Sequence, residues 1–247
     1  VVVAANRDEY LDRPATPPGL LAGGDGMPVV APRDLRAGGT WLGLNGAGVF
    51  AALTNRPTKA PDPSRRSRGL LVLDALAEST AEASAKRLAS LPSGDYNPFN
   101  LVVADRQHAF AIVYDDAPRL TTLRPGAHVI GNADPDDVSV PKVARLLERA
   151  ERAGRARAEE VLPILGEICR GHDGQGAPLE DACIHTPVYG TRSSALLHLG
   201  DRAGTDRFRF ADGPPCRAEY EDYTHLLSAL GRTTVASPGA RIARTPS

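Results

Sequence analysis

Cysteine is scarce in this chain, which has only Cys169, Cys183 and Cys216. The number is odd, and the spacings fit no zinc or haem-attachment motif. The simplest reading is a reduced, cytoplasmic protein with three ordinary thiols and no metal site. Charge of one sign is also lacking. With 29 Lys and Arg against 30 Asp and Glu, the net charge of -1 gives no electrostatic case for nucleic acid or an anionic membrane. No apolar run approaches the roughly 20 residues that a membrane helix needs. Neither a signal peptide nor a repeat of roughly 20 to 50 residues is visible. A nucleophile is missing too. Ser, His and Asp stand in no recognisable arrangement, Gly-x-Ser-x-Gly is absent, and no cysteine has an activating neighbourhood.

What is there suffices for a core, since 42% of the 247 residues are apolar. Pro is frequent, and with abundant Ala and Arg it suggests a GC-rich bacterial source. Val1 to Ala5 reads as a strand buried on both faces. A Pro-rich connector through Pro14, Pro17 and Pro18 follows, then a short edge strand at Val29 to Ala31. Thr40 to Leu44 and Val49 to Thr54 flank Asn45-Gly46 as a hairpin. Helical spacing covers Arg68 to Glu78, and Ser79-Thr80-Ala81-Glu82 has capping-box form for a helix to Leu91. Strands are expected at Phe99 to Ala104, Ala109 to Tyr114, Leu120 to Leu123 and His128 to Ile130. Helices follow from Ser139 to Ala153 and from Ala158 to Arg170. The last strands are Ala195 to Leu199 and Phe208 to Ala211. Strands segregated from two helix pairs predict an α+β fold with two stacked antiparallel sheets between helical layers. One domain is expected over 1–230, with a disordered tail over 231–247.

Polar groups gather where these strands end. Asn6, Arg7, Asp8 and Glu9 follow the first strand, Asn55 and Arg56 the hairpin, and Asn132 the strand of His128. Tyr189 to Ser194 precede the strand from Ala195. Strand ends are places where a sheet can hold reactive groups. Amides and a guanidinium near a carboxylate suit an oxyanion or a bound carboxylate. Each residue also has a structural reading. Asn55 suits a turn, Asp8 an ion pair with Arg7 or Arg192, Asp134 to Asp137 a helix cap, and Trp41 the core.

Val3-Ala4-Ala5-Asn6-Arg7-Asp8-Glu9 resembles the opening of the NRDE family, also called the transport and Golgi organisation protein 2 family. Gly38-Gly39-Thr40-Trp41-Leu42-Gly43, Thr54-Asn55, Asn97-Pro98-Phe99-Asn100-Leu101 and Tyr189 to Ser194 look like that family too, in its order. The likeness runs from Val1 to about Tyr223. It implies a four-layer αββα sandwich of the N-terminal nucleophile hydrolase type, like the bile-salt and penicillin V amidases. It also implies a Met-Cys start and a short strand upstream of Val1, making this chain a truncated form without its nucleophile.

By resemblance to the amidases, Asp8 would orient an N-terminal cysteine. Asn55 and Asn132 would be site amides and Arg192 a site arginine. Where those enzymes carry an Arg shortly before that Asp, this chain has Ala5. The ligand-contacting set would be Asn6, Arg7, Asp8, Glu9, Trp41, Asn55, Tyr189 and Arg192. Asp8 is expected to face the cleft and Glu9 the other side, so Asp8→Asn should impair function more than Glu9→Gln. Two functions follow from the resemblance. One is binding and trafficking of haem or a similar amphipathic small molecule, with eukaryotic relatives linked to secretion and Golgi organisation. The other is amide hydrolysis by a cysteine. No cofactor is required, and haem would be a transported ligand. The expected partner is a small molecule, with no nucleic acid and no membrane span.

Overall fold

The computed structural model describes residues 1–23, 26–174, 176–200 and 204–231. The proposed tail, 231–247, lies outside the described residues except for Gly231. Strands β1 (Val2–Tyr10), β2 (Ala15–Ala22), β3 (Pro28–Asp34), β4 (Leu42–Asn45) and β5 (Phe50–Asn55) come first. Helices α1 (Arg68–Ala75) and α2 (Ala81–Ala89) follow. Next are β6 (Phe99–Ala104), β7 (Ala109–Tyr114) and β8 (Pro118–Thr122), then α3 (Pro141–Ala153) and α4 (Ala158–Cys169). The chain continues with β9 (Tyr189–His198), β10 (Arg207–Ala211), β11 (Glu221–Asp222) and α5 (Thr224–Ala229).

Two antiparallel sheets result. One has four strands in the order β1-β9-β10-β11, the other seven in the order β2 to β8. One apolar cluster joins the large sheet to α1 and α2 through Leu71, Val72, Leu76, Leu88, Phe99 and Ile112. The second lies between the sheets, where Val30, Leu42, Leu44 and Phe50 meet Leu197, Phe208 and Phe210. On the far side α4 packs against β1 and β9. The layers are therefore helix, sheet, sheet, helix, as the alternation of segments predicts.

Where residues and reading differ, hydrogen bonding explains it. Val1 to Ala5 is only the start of a longer strand. β1 runs through Asn6, Arg7, Asp8 and Glu9 because β9 pairs with it as far as Tyr10 opposite Tyr189. Tyr189 to Ser194 thus lie within β9, not before it. The Pro-rich connector contains β2, an edge strand whose register shifts between Thr16 and Gly19, around Pro17 and Pro18. Edges and bulges are where a sheet tolerates proline. Val29 to Ala31 is an inner strand, not an edge. The second helix is capped by Thr80, whose Oγ1 accepts from the Ala83 N–H, and not by Ser79.

His128 to Ile130 forms no strand. The Val129 N–H donates to Asp136 Oδ1, and His128 Nδ1 bonds Asp136 Oδ2 at 2.6 Å, so a side chain takes the place of a neighbouring strand. Nor do Asp134 to Asp137 cap α3, whose N-cap is Val140 with Pro141 in the first turn. β11 and α5 were not foreseen.

Candidate functional site

The alternation of β1 decides which polar groups meet. Val3 and Ala5 pack into the cluster between the sheets. Two residues further on, Arg7 shares that face. It is only 7% exposed. Its guanidinium carbon lies 4.4 Å from the centre of the Trp41 ring. Trp41 is held there by the Gly38-Gly39-Thr40 segment. Any side chain on Gly39 would collide with the backbone of Gly69, and the Thr40 N–H donates to the Gly69 carbonyl at 3.0 Å.

Among the described residues Asp34 is the one acidic group in contact with Arg7, and it is already occupied. Asp34 Oδ2 lies 3.7 Å from Arg7 Nη2 but 2.6 Å from Arg13 Nη2. Arg13 Nε also donates to it at 2.8 Å, and the N–H groups of Arg36 and Ala37 donate to Oδ1. Burial pushes the Asp34 carboxyl up, but these donors outweigh it and hold it below its ordinary value. Arg7 Nη1 is buried with no hydrogen-bond partner. Burial lowers the Arg7 pKa; Glu9 and Asp34 pull it up, and Arg13 and Arg192 push it further down.

A second guanidinium arrives by an irregularity in β9. Ser193 pairs with Arg7 and Thr191 with Asp8, which leaves Arg192 as the extra residue of a bulge. Bulges re-aim side chains. Arg192 lines the same space as Arg7, and its Nε is buried without a partner. The result is a narrow open cleft bordered by Arg7, Thr16, Trp41, Arg192, Ser193 and Asp212. Two guanidinium groups with unmatched donors beside an indole face have the chemistry that suits a carboxylate.

On the opposite face of β1 both amide hydrogens of Asn6 find acceptors, while its Oδ1 is buried without a partner. Asn6 Nδ2 donates to the carbonyls of Cys169 and Ala182 at 2.9 and 2.7 Å. Asp8 Oδ1 accepts from Thr191 Oγ1 at 2.6 Å. Burial nevertheless raises the Asp8 carboxyl above its usual value, against the opposite pull of Thr191 and Lys142. Asp8 thus faces the α3–α4 layer, and it is Glu9 that shares Arg7's side, where it pairs with Arg13 at 3.4 Å. This reverses the expected orientation of the two carboxylates.

Asn55 and Asn132 do meet, since Asn132 Nδ2 donates to the Asn55 carbonyl at 2.6 Å. Both are exposed. Thr54 Oγ1 and Asn100 Nδ2 donate to the Gly131 carbonyl, strapping that loop over the end of β5. Among the described residues no hydrogen bond or ion pair links this amide pair to Asp8 or Arg192. The start of α3 lies near both, with Lys142 toward Asp8 and Val143 against Gly131. The hydrogen bonds thus join Asn132 to Asn55 and Asp8 to Thr191, while Arg192 lines the cleft with Arg7. Tyr189 Oη donates to the Asp8 carbonyl at 3.1 Å, and burial pushes its pKa up to about 12.

Cys169 and Cys183 are not activated. Burial pushes their thiols up to about 11 and about 12. Reading by spacing missed that Cys183, His185, Cys216 and His172 share one location. The Cys183-x-His185 pair was the only local signal, and its partners lie in other segments.

Comparison with known proteins agrees with the fold. The Transport and Golgi organisation 2 family model matches residues 1–208. The human Transport and Golgi organization protein 2 homolog is 28% identical over 225 residues, covering 80% of this chain and 81% of that protein. The Bos taurus homolog is 36% identical over 270 aligned residues, covering 91% of each. Among solved structures, penicillin V acylase from Agrobacterium tumefaciens superposes with a TM-score of 0.57 at 14% identity, over 92% of this chain and 84% of that one. Conjugated bile acid hydrolase from Clostridium perfringens gives 0.51 at 11% identity, over 91% and 89%. At such identities these two show the fold alone, an N-terminal nucleophile hydrolase-like sandwich. With its sheet order, its β1 motif and a family match across most of its length, the chain belongs to the Transport and Golgi organisation 2 family.

Proposed function

We propose that the chain binds and carries an amphipathic small molecule bearing a carboxylate, with haem as the leading member of that class. The observation that carries this reading is the pair of buried, unpartnered guanidinium nitrogens, Arg7 Nη1 and Arg192 Nε, at one cleft. Unmatched buried donors are costly unless something accepts from them. A propionate supplies that acceptor, and Trp41 supplies an apolar face. The recess is narrow, with room for about one water-sized group. It therefore grips the acidic edge of a porphyrin and leaves the rest outside, as suits a protein that hands its ligand on.

Haem titration tests this. Haem should develop a Soret band with the chain, and Arg192→Ala should weaken that binding at least about tenfold, the worth of one charge-assisted bond. An unchanged titration in the variant contradicts the reading.

A second reading, amide hydrolysis, draws on the likeness to an acylase and a bile acid hydrolase and on the buried Asp8. It depends on a cysteine preceding Val1, as the resemblance to the amidases implies. A version extended upstream by Met-Cys, with the Met removed, would then attack an acyl amide, form a thioester and release the amine.

A further inference from the structure

Behind the four-stranded sheet, away from the cleft, four side chains from three separate stretches turn toward one spot. His172 follows α4, Cys183 and His185 precede β9, and Cys216 follows β10. One ligand atom from each lies within 4.8 Å of the others. Cys183 Sγ is 3.6 Å from Cys216 Sγ and 3.7 Å from His185 Nε2. His185 Nε2 is 3.1 Å from Cys216 Sγ. Around a tetrahedral zinc with Zn–S of about 2.3 Å and Zn–N of about 2.0–2.1 Å, neighbouring ligand atoms stand roughly 3.4–3.8 Å apart. Two of the three measured edges, 3.6 and 3.7 Å, fall in that range, and the third, at 3.1 Å, is shorter. His172 is exposed, and its ring, centred 5.2 Å from that of His185, stands at the fourth corner.

Hydrogen bonds that do not involve these side chains hold their backbone in place. The Cys183 N–H donates to the Gly171 carbonyl at 3.0 Å and closes the loop that carries His172. The Ile184 N–H donates to Thr191 Oγ1, and His185 bridges to Gly190. The turn bearing Cys216 is fastened by Arg170 Nε, which donates to the Pro215 carbonyl at 2.8 Å. Outside the cluster, Asp181 Oδ2 sits 3.8 Å from His172 Nδ1, while its Oδ1 accepts from the Gly174 N–H. A carboxylate beside a histidine ring is the usual second partner of a metal-bound imidazole. Weak thiol hydrogen bonds alone do not account for two sulfurs and two imidazoles aimed at each other.

We propose that His172, Cys183, His185 and Cys216 form a closed, four-coordinate site for a soft divalent cation, with zinc the best match. Two thiolates and two imidazoles select zinc over magnesium or calcium, and four protein ligands leave no open position, which marks a structural site rather than a catalytic one. On binding, two S–H bonds give way to two metal–sulfur bonds, and two protons pass to solvent. The ion would cross-link the loop entering β9 to the turn leaving β10, staying clear of the Arg7–Arg192 cleft. The proposal does not depend on what that cleft binds. A disulfide is the competing chemistry. It would need Cys183 and Cys216 to close from 3.6 Å to about 2.05 Å with an oxidant present, and it would leave both histidines idle.

The test uses the purified chain, kept reduced, stripped with a chelator, reloaded with zinc and desalted. Elemental analysis should find one zinc per chain. Cobalt in its place should show the visible ligand-field bands and sulfur-to-cobalt charge transfer of a tetrahedral thiolate site. Zinc should raise the melting temperature of the wild type. Cys216→Ser should lose the zinc and the melting shift while keeping its circular dichroism. His172→Ala, changed at an exposed ligand, should bind at least about tenfold more weakly. Cys169→Ser, whose sulfur neighbours Ser194 and Tyr220 instead, should bind like the wild type. Substoichiometric zinc in the wild type, or equal retention by Cys216→Ser and His172→Ala, would overturn the site. So would a Cys183–Cys216 disulfide that persists under reductant with no metal bound.

Discussion

The two faces of β1 carry neighbouring polar residues into opposite situations. On the helix side Asn6 gives both amide hydrogens to carbonyls, and Asp8 takes a hydroxyl. Between the sheets Arg7 keeps a donor with no acceptor, although it is as deeply set as its neighbours. One short motif thus sends an amide and a carboxylate to the helix side and a guanidinium between the sheets, by the two-residue period of a strand.

Mutations along β1 break or sharpen this contrast. The largest effect on stability should come from Asn6→Ala. It strands two carbonyls, and urea unfolding should show a loss of about 2–4 kcal/mol with cleft binding per folded molecule unchanged. Arg7→Leu should do the reverse. Asp34 keeps Arg13 and two N–H donors, so stability should stay within about 1 kcal/mol while affinity for a carboxylate ligand falls about ten- to a hundredfold. Loss of stability without loss of binding would make Arg7 a structural residue.

Asp8→Asn gives a smaller effect that depends on pH. Folding raises this carboxyl above its ordinary value of 3.8, chiefly through burial. A carboxyl raised on folding adds stability below its unfolded pKa, and that contribution is lost as pH climbs through the folded value. Asp8→Asn should therefore gain on the wild type as pH rises from about 4 to about 7. Parallel stability curves would remove the burial penalty from Asp8. Glu9→Gln should be the mildest, within about 0.5 kcal/mol, since it gives up one partly exposed contact with Arg13.

Much of the architecture was legible in the sequence. β6 and β7 fall where the apolar runs place them, and the Asn45-Gly46 turn joins the expected hairpin. The layers follow from the grouping of strands and helices. The orientation of the site was not legible. Reading Val1 to Ala5 as the whole first strand put Asn6 to Glu9 beyond its end, where alternation no longer tells inside from outside. Pairing with β9 extends the strand and fixes the faces. The Arg192 bulge has no sequence mark either, because it arises from the register between strands that stand far apart in the chain. Cys183 and His185 sit two apart, but their partners come from the ends of two other elements, so spacing alone hides the cluster.

Trp41 is the chain's single tryptophan, and it lies directly under Arg7. Its fluorescence therefore reads the cleft with no added label. A porphyrin with free carboxylates should quench it saturably, the dimethyl ester of that porphyrin should not, and Arg192→Ala should erase the difference. Equal quenching by acid and ester in the wild type would contradict the cleft as a carboxylate site.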